Sequence, residues 1–411
     1  MLAPAQKPAP VPTSYCFSMN KFDDIRPYSD DEVRPVMDRV MQDGEFKRAM
    51  ARLIFPRLGK LWPGLIAPIV GWYVRRQFSD ANTVRDMQAV IERYMARMMD
   101  HTMDGLSVSG TEKLDPKLSY LFVSNHRDIA MDPAFVNWVL WHNGFDTPRL
   151  AIGDNLLTKP YASDLMRLNK SFLVNRSATG NKEKFKALKH LSEYLHFSIV
   201  DERASIWIAQ REGRAKDGLD RTNPAIVKMF TMAKPKDQHF GDYIQQLRIV
   251  PVSISYEWDP CDEAKAHERF VIKRDGRYQK GQHEDVLNIA KGIAGTKGHV
   301  HVAFGEVLGG GFNDADEVAA EIDRQVIDNF VLQPSNCLAY KALHGQVPAL
   351  RVGEKQVPFK EDNCKQEAHL FAERLRKVKP AHRALVREMY ANPIVSKLEL
   401  AGEGLPIAKS A

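Results

Sequence analysis

A histidine with two nearby aspartates is the clearest candidate for proton-transfer chemistry in the sequence. His126 follows residues 120–123, a short apolar run that predicts a buried strand. Asp132 and Pro133 then open a second apolar stretch, predicted as a helix, since aspartate is a good N-cap and proline fits the first turn. His126 therefore lies in a turn between strand and helix, where ligands collect in α/β sheets. Its imidazole can act as a general base, with Asp128 or Asp132 as the carboxylate that orients the ring.

The triplet His126-Arg127-Asp128 also occurs in the catalytic loop of protein kinases. Such a loop needs asparagine five residues after the aspartate, and Pro133 stands there. The sequence has no Asp-Phe-Gly and no Gly-x-Gly before residue 120, so a kinase is excluded.

Arginine and glutamate follow two later predicted strands, at residues 171–174 and 205–209. Arg176 follows the first of these strands, and Glu212, Gly213 and Arg214 follow the second. Each charge alone is commonly part of a surface ion pair. If the strand ends meet at the edge that carries His126, they form a basic pocket, and the planar donors of arginine suit phosphate. Gly213 allows a close backbone approach.

The composition is that of a globular protein with a mild basic excess. The chain has 411 residues, of which 44% are hydrophobic, and a net charge of +6. This charge is compatible with anionic lipids or phosphorylated substrates and is too small to indicate a nucleic-acid partner. The four cysteines form no Cys-x-x-Cys pair, which argues against structural zinc and a disulfide framework and favours a reducing compartment.

From Leu106 onward, short strands alternate with helices. This pattern predicts an α/β fold with a mainly parallel, mixed sheet flanked by helices, and helical extensions at both ends. Strands are predicted at 106–109, 119–124, 149–152, 171–174, 205–209, 248–256, 268–273 and 299–304. Helices are predicted near 80–104, 133–142, 157–168, 182–197 and 223–233. The predicted domains are a flexible tail (1–20), an N-terminal helical region (21–105), the α/β domain (106–335) and a C-terminal helical extension (336–411) without chemistry of its own.

The N-terminal region contains an uncharged apolar segment with aromatic residues near its ends. Residues 61–74 carry no charge, and arginine or lysine flanks them on both sides. The run is shorter than the roughly 20 apolar residues that cross a bilayer. Segment 60–78 is therefore predicted to lie at a membrane interface, with a buried helical hairpin as the alternative.

Four ordered motifs give a resemblance to a known family. The motifs are Asn125-His126…Asp132-Pro133, Phe172-Leu-Val-Asn-Arg176, Arg211-Glu-Gly-Arg214 and Val250-Pro-Val-Ser253. As a set they resemble the glycerolipid acyltransferase superfamily, which includes glycerol-3-phosphate and 1-acylglycerol-3-phosphate acyltransferases. The resemblance covers residues 106 to about 307, and segment 60–78 is similar to the membrane-associating segments of that family.

The resemblance implies a reaction and a set of partners. His126 would deprotonate the hydroxyl of a glycerophospholipid acceptor, which attacks the thioester of acyl-CoA or acyl carrier protein. Arg176, Glu212 and Arg214 would hold the phosphate and glycerol end, and backbone amides near Gly213 would stabilise the oxyanion. No metal or bound cofactor is implied. The expected location is cytoplasmic, peripheral on the inner face of the cell membrane.

Two departures from the family pattern leave choices open. Five residues separate His126 from Asp132, one more than is usual in the family, and a regular helix would point the two side chains apart. A turn before Asp132 would restore their contact, and Asp128 is the competing partner. The third motif also differs around Glu212, which leaves the acceptor open. The expected function is acylation of 1-acylglycerol-3-phosphate in phospholipid synthesis. The alternatives are glycerol-3-phosphate as acceptor, or a non-catalytic lipid-binding protein that keeps the fold.

Overall fold

The structure of the protein is a computed structural model. It describes residues 20–55, 61–157, 159–281, 283–347, 350–352, 355–357 and 359–402. The predicted flexible tail, apart from Asn20, lies outside the described residues.

The secondary structure alternates between strands and helices in the middle of the chain and is mainly helical towards both ends. The α-helices are α1 Asp30–Gln42, α2 Gly44–Ile54, α3 Pro63–Gln77, α4 Val84–Thr102, α5 Met131–His142, α6 Pro160–Leu168, α7 Asn181–His196, α8 Pro224–Phe230, α9 Phe240–Leu247, α10 Asp262–Asp275, α11 Glu284–Ala294, α12 Ala315–Asn329, α13 Pro334–His344, α14 Lys365–Lys377 and α15 Arg383–Leu400. The strands are β1 Met103–Ser109, β2 Leu121–Ser124, β3 Arg149–Gly153, β4 Ser171–Val174, β5 Ile206–Ala209, β6 Ile249–Tyr256, β7 Gly298–Phe304, β8 Leu350–Val352 and β9 Lys355–Val357.

The chain forms two compact units, and their boundaries differ from the predicted domains. The first unit contains the described residues up to Gln88 together with Ala151–Lys184. The second contains Ala89–Leu150 and the described residues from Phe185 onward. The C-terminal helices α13–α15 therefore belong to the same unit as most of the sheet.

Helices α1, α2 and α3 build the core of the first unit. α1 begins at a capping box in which the Ser29 amide donates to the Glu32 carboxylate at 2.8 Å. Arg39 on α1 pairs with Asp164 on α6 at 2.8 Å. The apolar side chains between these helices include Val33, Val36, Val40, Ala67, Val70, Val74 and Leu168. Among the described helices, none is both long enough and apolar enough to cross a bilayer.

A mixed sheet forms the centre of the second unit, with strand order β1-β7-β6-β2-β5. β2 pairs in parallel with both β5 and β6, β1 pairs in parallel with β7, and β6 and β7 are antiparallel. All residues of β2 and β6 are buried, as expected for central strands covered on both faces. The predicted mainly parallel, mixed α/β fold flanked by helices is confirmed.

The predicted strand at 268–273 is wrong, because these residues belong to helix α10. The run Phe270-Val-Ile favours a strand locally, but it lies inside a longer helical pattern. Asp262 and Glu263 occupy the first turn, and Gly276 ends the helix in the left-handed conformation at φ +76°.

The C-terminal extension is helical apart from a two-stranded antiparallel ladder, β8 with β9. Its helices α13, α14 and α15 share a core with Trp258 and with α10. On α14, Phe371 and Leu375 are buried, whereas Leu370 is exposed.

Candidate active site

The structure brings His126 and Asp132 together despite the additional residue between them. His126 Nδ1 lies 2.9 Å from Asp132 Oδ2. The contact forms because residues 125–130 are irregular and α5 begins only at Met131, so that the Asp132 carboxylate can turn back towards the histidine. Asp132 is therefore the second residue of α5, and its prediction as the N-cap is wrong.

Four donors fix the Asp132 carboxylate, which is completely buried. Besides His126, the backbone amides of Arg127 and Asp128 donate to Oδ2 at 2.6 and 2.9 Å. The Tyr256 hydroxyl, at the end of β6, donates to Oδ1 at 2.6 Å. Burial, with the neighbouring carboxylates, raises the pKa of Tyr256 well above its ordinary value, so the phenol stays protonated as a donor. A carboxylate oxygen in this position accepts from the ring, which favours the imidazole tautomer with the proton on Nδ1.

Asp128 does not contact the His126 ring and instead supports the start of helix α5. Its Oδ1 accepts from the backbone amides of Ala130 and Met131, both at 2.9 Å, and so supports the start of α5. The other oxygen, Oδ2, faces Gly292 on α11, where a Cβ would come within 2.2 Å. Burial, followed by the Asp132 charge, raises the pKa of Asp128. Of the two aspartates, Asp132 is the one that the structure places on the histidine ring.

The loop of the third motif lies directly beside the His126 turn. It follows β5, which is the parallel neighbour of β2, so both segments leave the same edge of the sheet. The Ala215 amide donates to the His126 carbonyl at 2.8 Å. Gly213 is exposed at φ +74°, and no atom of the described residues lies within 4 Å of where its Cβ would be. The left-handed backbone favours glycine there, and the close backbone approach that the sequence predicted stays a prediction.

Two of the charged residues of this loop, Glu212 and Arg214, differ in exposure. Glu212 is exposed, whereas Arg214 is only 8% exposed, and its Nη1 makes no hydrogen bond within the described part of the chain. Burial would raise the pKa of Asp259, but Lys265 and, to a smaller extent, Arg214 hold it below its ordinary value. Arg214 is therefore a buried cation near a buried carboxylate, with donor capacity left for an anion.

Arg176 lies in the first unit, two residues beyond β4. Its backbone amide donates to Asp154 Oδ1 at 3.0 Å, and its exposed side chain passes over Gly153. The prediction that it shares a pocket with His126 and Arg214 stays a prediction.

Comparison with known proteins identifies the segment that carries these residues. The acyltransferase family model matches residues 105–255, which contain all four motifs. The predicted resemblance to the glycerolipid acyltransferase superfamily is confirmed over this segment. The chain is 25% identical over 237 residues to a glycerol-3-phosphate acyltransferase of Pseudoalteromonas translucida, covering 56% of this chain and 27% of that protein. It is 26% identical over 226 residues to a glycerol-3-phosphate acyltransferase of Alteromonas mediterranea, covering 53% and 25%.

The chain thus spans about a quarter of the length of these curated relatives. A solved structure, the 1-acyl-sn-glycerophosphate acyltransferase of Thermotoga maritima, matches 69% of this chain and 95% of its own at 16% identity and a TM-score of 0.37.

The structure also shows polar contacts around the His126 turn that were not predicted from the sequence. Asn125 Nδ2 donates to Asp220 and to the carbonyl of Ile254, which ties β2 to β6. The Arg127 guanidinium donates to the same Asp220 oxygen at 2.5 Å. Asn125 could have been predicted as a site residue, because it stands next to the histidine in the first motif. The sequence around Asp220 and Tyr256 gives no such indication.

Proposed function

We propose that the protein is an O-acyltransferase that moves a fatty acyl group from a thioester donor to the hydroxyl of a glycerol phosphate acceptor. The observation that carries this proposal is the His126–Asp132 hydrogen bond at the carboxyl edge of the sheet, backed by Tyr256. It supports the role of His126 as general base, with Asp132 as the group that orients it.

The reaction follows from the tautomer that Asp132 selects. With the proton on Nδ1, the imidazole Nε2 carries the lone pair that accepts the proton of the acceptor hydroxyl. The hydroxyl oxygen attacks the thioester carbonyl carbon and forms the new C–O bond, which gives a tetrahedral oxyanion. This intermediate collapses as the C–S bond breaks. The imidazolium returns its proton to the leaving thiolate, and Asp132 stabilises the positive ring in between. These steps need only the side chains named here and the two substrates.

Arg214 is the residue we propose for the phosphate of the acceptor. A buried guanidinium with an unused donor gains most from a dianionic ligand, because low dielectric strengthens the charge-assisted hydrogen bonds. Arg176 and Glu212 are proposed at the glycerol end, and the amides near Gly213 at the oxyanion. The sequence favours 1-acylglycerol-3-phosphate as the acceptor, and the names of the two curated relatives favour glycerol-3-phosphate as a second candidate.

The purified protein is expected to transfer acyl groups from acyl-CoA or acyl carrier protein to one of these two acceptors, but not to glycerol or monoacylglycerol.

Arg214→Ala is expected to raise the KM for the acceptor at least about 10-fold, since a charge-assisted contact is lost. The KM for the acyl donor should change less than about 2-fold. Initial rates with radiolabelled donor measure both constants.

The matched control is Arg221→Ala, which removes an exposed arginine from the same connection between β5 and α8. An unchanged acceptor KM in Arg214→Ala would remove this residue from the pocket. No transfer to any glycerol phosphate acceptor, together with binding of lipid, would favour the non-catalytic lipid-binding alternative.

We further propose that α3 attaches the protein to a membrane surface. One face of α3 packs into the first unit through Ala67, Val70 and Val74. The opposite face is an exposed apolar ridge at helical spacing, formed by Trp62, Leu65, Ile69 and Trp72, each at least 60% exposed. Exposed apolar ridges of this kind mark interaction sites.

Basic side chains at the end of α3 suit an anionic lipid surface. Arg76 lies over the Trp72 ring at 5.7 Å from its centroid, and Arg75 follows the same helix end. Aromatic rings flanked by cations are typical of helices that lie in the interface plane. This arrangement supports a peripheral location over a hairpin that is buried on all sides.

Replacing both Trp62 and Trp72 with serine is expected to reduce binding to vesicles containing anionic phospholipid at least about 10-fold. The reason is that two indole rings proposed to enter the lipid interface are lost. Co-sedimentation with vesicles measures the partition coefficient. The control, Val286→Ser with Leu287→Ser, removes two equally exposed apolar side chains from α11. Equal partitioning of the Trp62/Trp72 variant and the unmodified protein would contradict attachment through α3.

A further inference from the structure

A buried lysine holds the backbone of the His126 turn. Lys265 on α10 is 1% exposed, and its Nζ donates to the Arg127 carbonyl at 2.6 Å. The same ammonium pairs with the Asp259 carboxylate. Lys265 lies outside the segment that matches the acyltransferase family, which ends at residue 255.

The carbonyl that Lys265 binds belongs to the peptide unit whose amide points at Asp132. This unit joins Arg127 to Asp128: its oxygen accepts from Lys265, and its N–H, that of Asp128, donates to Asp132 Oδ2 at 2.9 Å. Because the peptide is planar, its carbonyl and N–H turn together, and a hydrogen bond at each end opposes this rotation. Lys265 therefore fixes the direction of a donor that positions the carboxylate on His126.

The C-terminal helices fix Lys265 through Asp259. The Asp259 amide donates to the Tyr390 hydroxyl on α15 at 2.8 Å, and this hydroxyl donates to Asp262 at 3.1 Å. Arg374 on α14 binds both the Asp262 carboxylate and the Asp259 carbonyl. Asp259, Asp262 and Tyr390 are all less than 10% exposed, so these contacts lie inside the protein.

Packing alone does not explain this arrangement. A buried lysine–aspartate pair carries a large desolvation cost, and apolar side chains of the same volume commonly serve the fold as well or better. What an apolar pair cannot supply is a donor for the Arg127 carbonyl. Arg127 and Tyr256, which both donate to Asp132, line one pocket together with Asp259 and Tyr390.

We propose that Lys265 is a positioning residue for acyl transfer, and that the C-terminal extension, through Tyr390 and Arg374, holds it in place. The extension then completes the active site, although the sequence predicted no chemistry there. This inference rests on the proposed function, in which His126 is the general base.

The decisive variant is the double substitution Lys265→Met with Asp259→Asn. Lys265→Met alone leaves a buried carboxylate unpaired and can prevent folding. In the double variant the pair is neutral and of similar volume, and asparagine keeps the oxygen that accepts the Cys261 amide. Because the Arg127 carbonyl still lacks its donor, kcat is expected to fall about 10- to 100-fold while both KM values stay within about 3-fold.

Tyr390→Phe provides a milder test, with kcat expected to fall about 3- to 10-fold. Its matched control is Glu388→Gln, which breaks another contact between α15 and α10, the ion pair with Arg269 at 2.8 Å. This pair does not reach the turn, so Glu388→Gln should keep kcat within about 2-fold. A common loss in both variants would indicate general weakening of the helix contact and would overturn the proposal.

Hydrogen exchange gives a readout that does not depend on activity. The amides of Arg127 and Asp128 are expected to exchange at least about 10-fold faster in the double variant, with unchanged exchange in β6. Unchanged exchange of these two amides in a folded double variant would overturn the role of Lys265. An inactive unmodified protein would instead reject the proposed function, and the exchange measurement would still decide the positioning.

Discussion

His126→Ala is expected to reduce kcat for acyl transfer at least about 100-fold, as for the loss of a general base. Without the imidazole the turn loses the proposed base, and Asp132 cannot replace it, since this carboxylate is fully buried and still accepts three hydrogen bonds. The KM values should change little, because the proposed phosphate contact at Arg214 is intact. Single-turnover rates with labelled acyl donor measure the chemical step directly.

The control for this variant is His142→Ala, at the end of α5. His142 is a half-exposed histidine whose ring packs against Trp138, and it does not belong to the proposed site. Both variants should unfold within about 3 °C of the unmodified protein, since neither removes a large buried apolar side chain. Near-normal turnover in His126→Ala would end the assignment of His126 as the base.

The sequence was sufficient to predict the strands that carry the site, because their signal is local. β4 was predicted at its observed bounds, and β2, β5 and β6 within two residues at either end. Short β-branched and apolar runs bounded by polar residues are typical of central strands. Helix α10 shows the limit of this reasoning, since its apolar run of three residues resembles a strand until the caps at both ends are considered.

The partner of His126 could not be chosen from the sequence. The choice between Asp128 and Asp132 depends on where α5 begins, and helix ends are the least certain part of such predictions. With α5 beginning at Met131, Asp128 supports the helix start and Asp132 faces the ring. The contact of Tyr256 with Asp132 could not be predicted for another reason. Tyr256 lies 124 residues from Asp132 along the chain, and nothing in β6 distinguishes it from a core tyrosine. For Arg176 the sequence predicts a position just after a strand, but not which side chains it lies beside.

Asp132→Asn is expected to lower kcat roughly 100- to 1,000-fold, the second large effect, with KM values within about 3-fold. An asparagine side chain has one acceptor oxygen, so it cannot receive donors at both positions, and its NH₂ group would face either two amides or the Tyr256 hydroxyl. If the amide group turns towards His126, it donates to Nδ1, and the ring then carries its proton on Nε2, where the base must be free. A comparable exchange in serine proteases is costly for this reason.

Tyr256→Phe separates orientation from charge, because it leaves the Asp132 carboxylate intact and removes only its fourth donor. The expected loss in kcat is about 10-fold, the rate equivalent of ~1.4 kcal/mol. In the combined variant, Tyr256→Phe with Asp132→Asn, the phenylalanine should add much less than another 10-fold, since both residues act through the same imidazole. Full additivity of the two losses would show that Tyr256 acts on something other than Asp132. Equal activity of Asp132→Asn and the unmodified protein would mean that His126 is not oriented by this carboxylate.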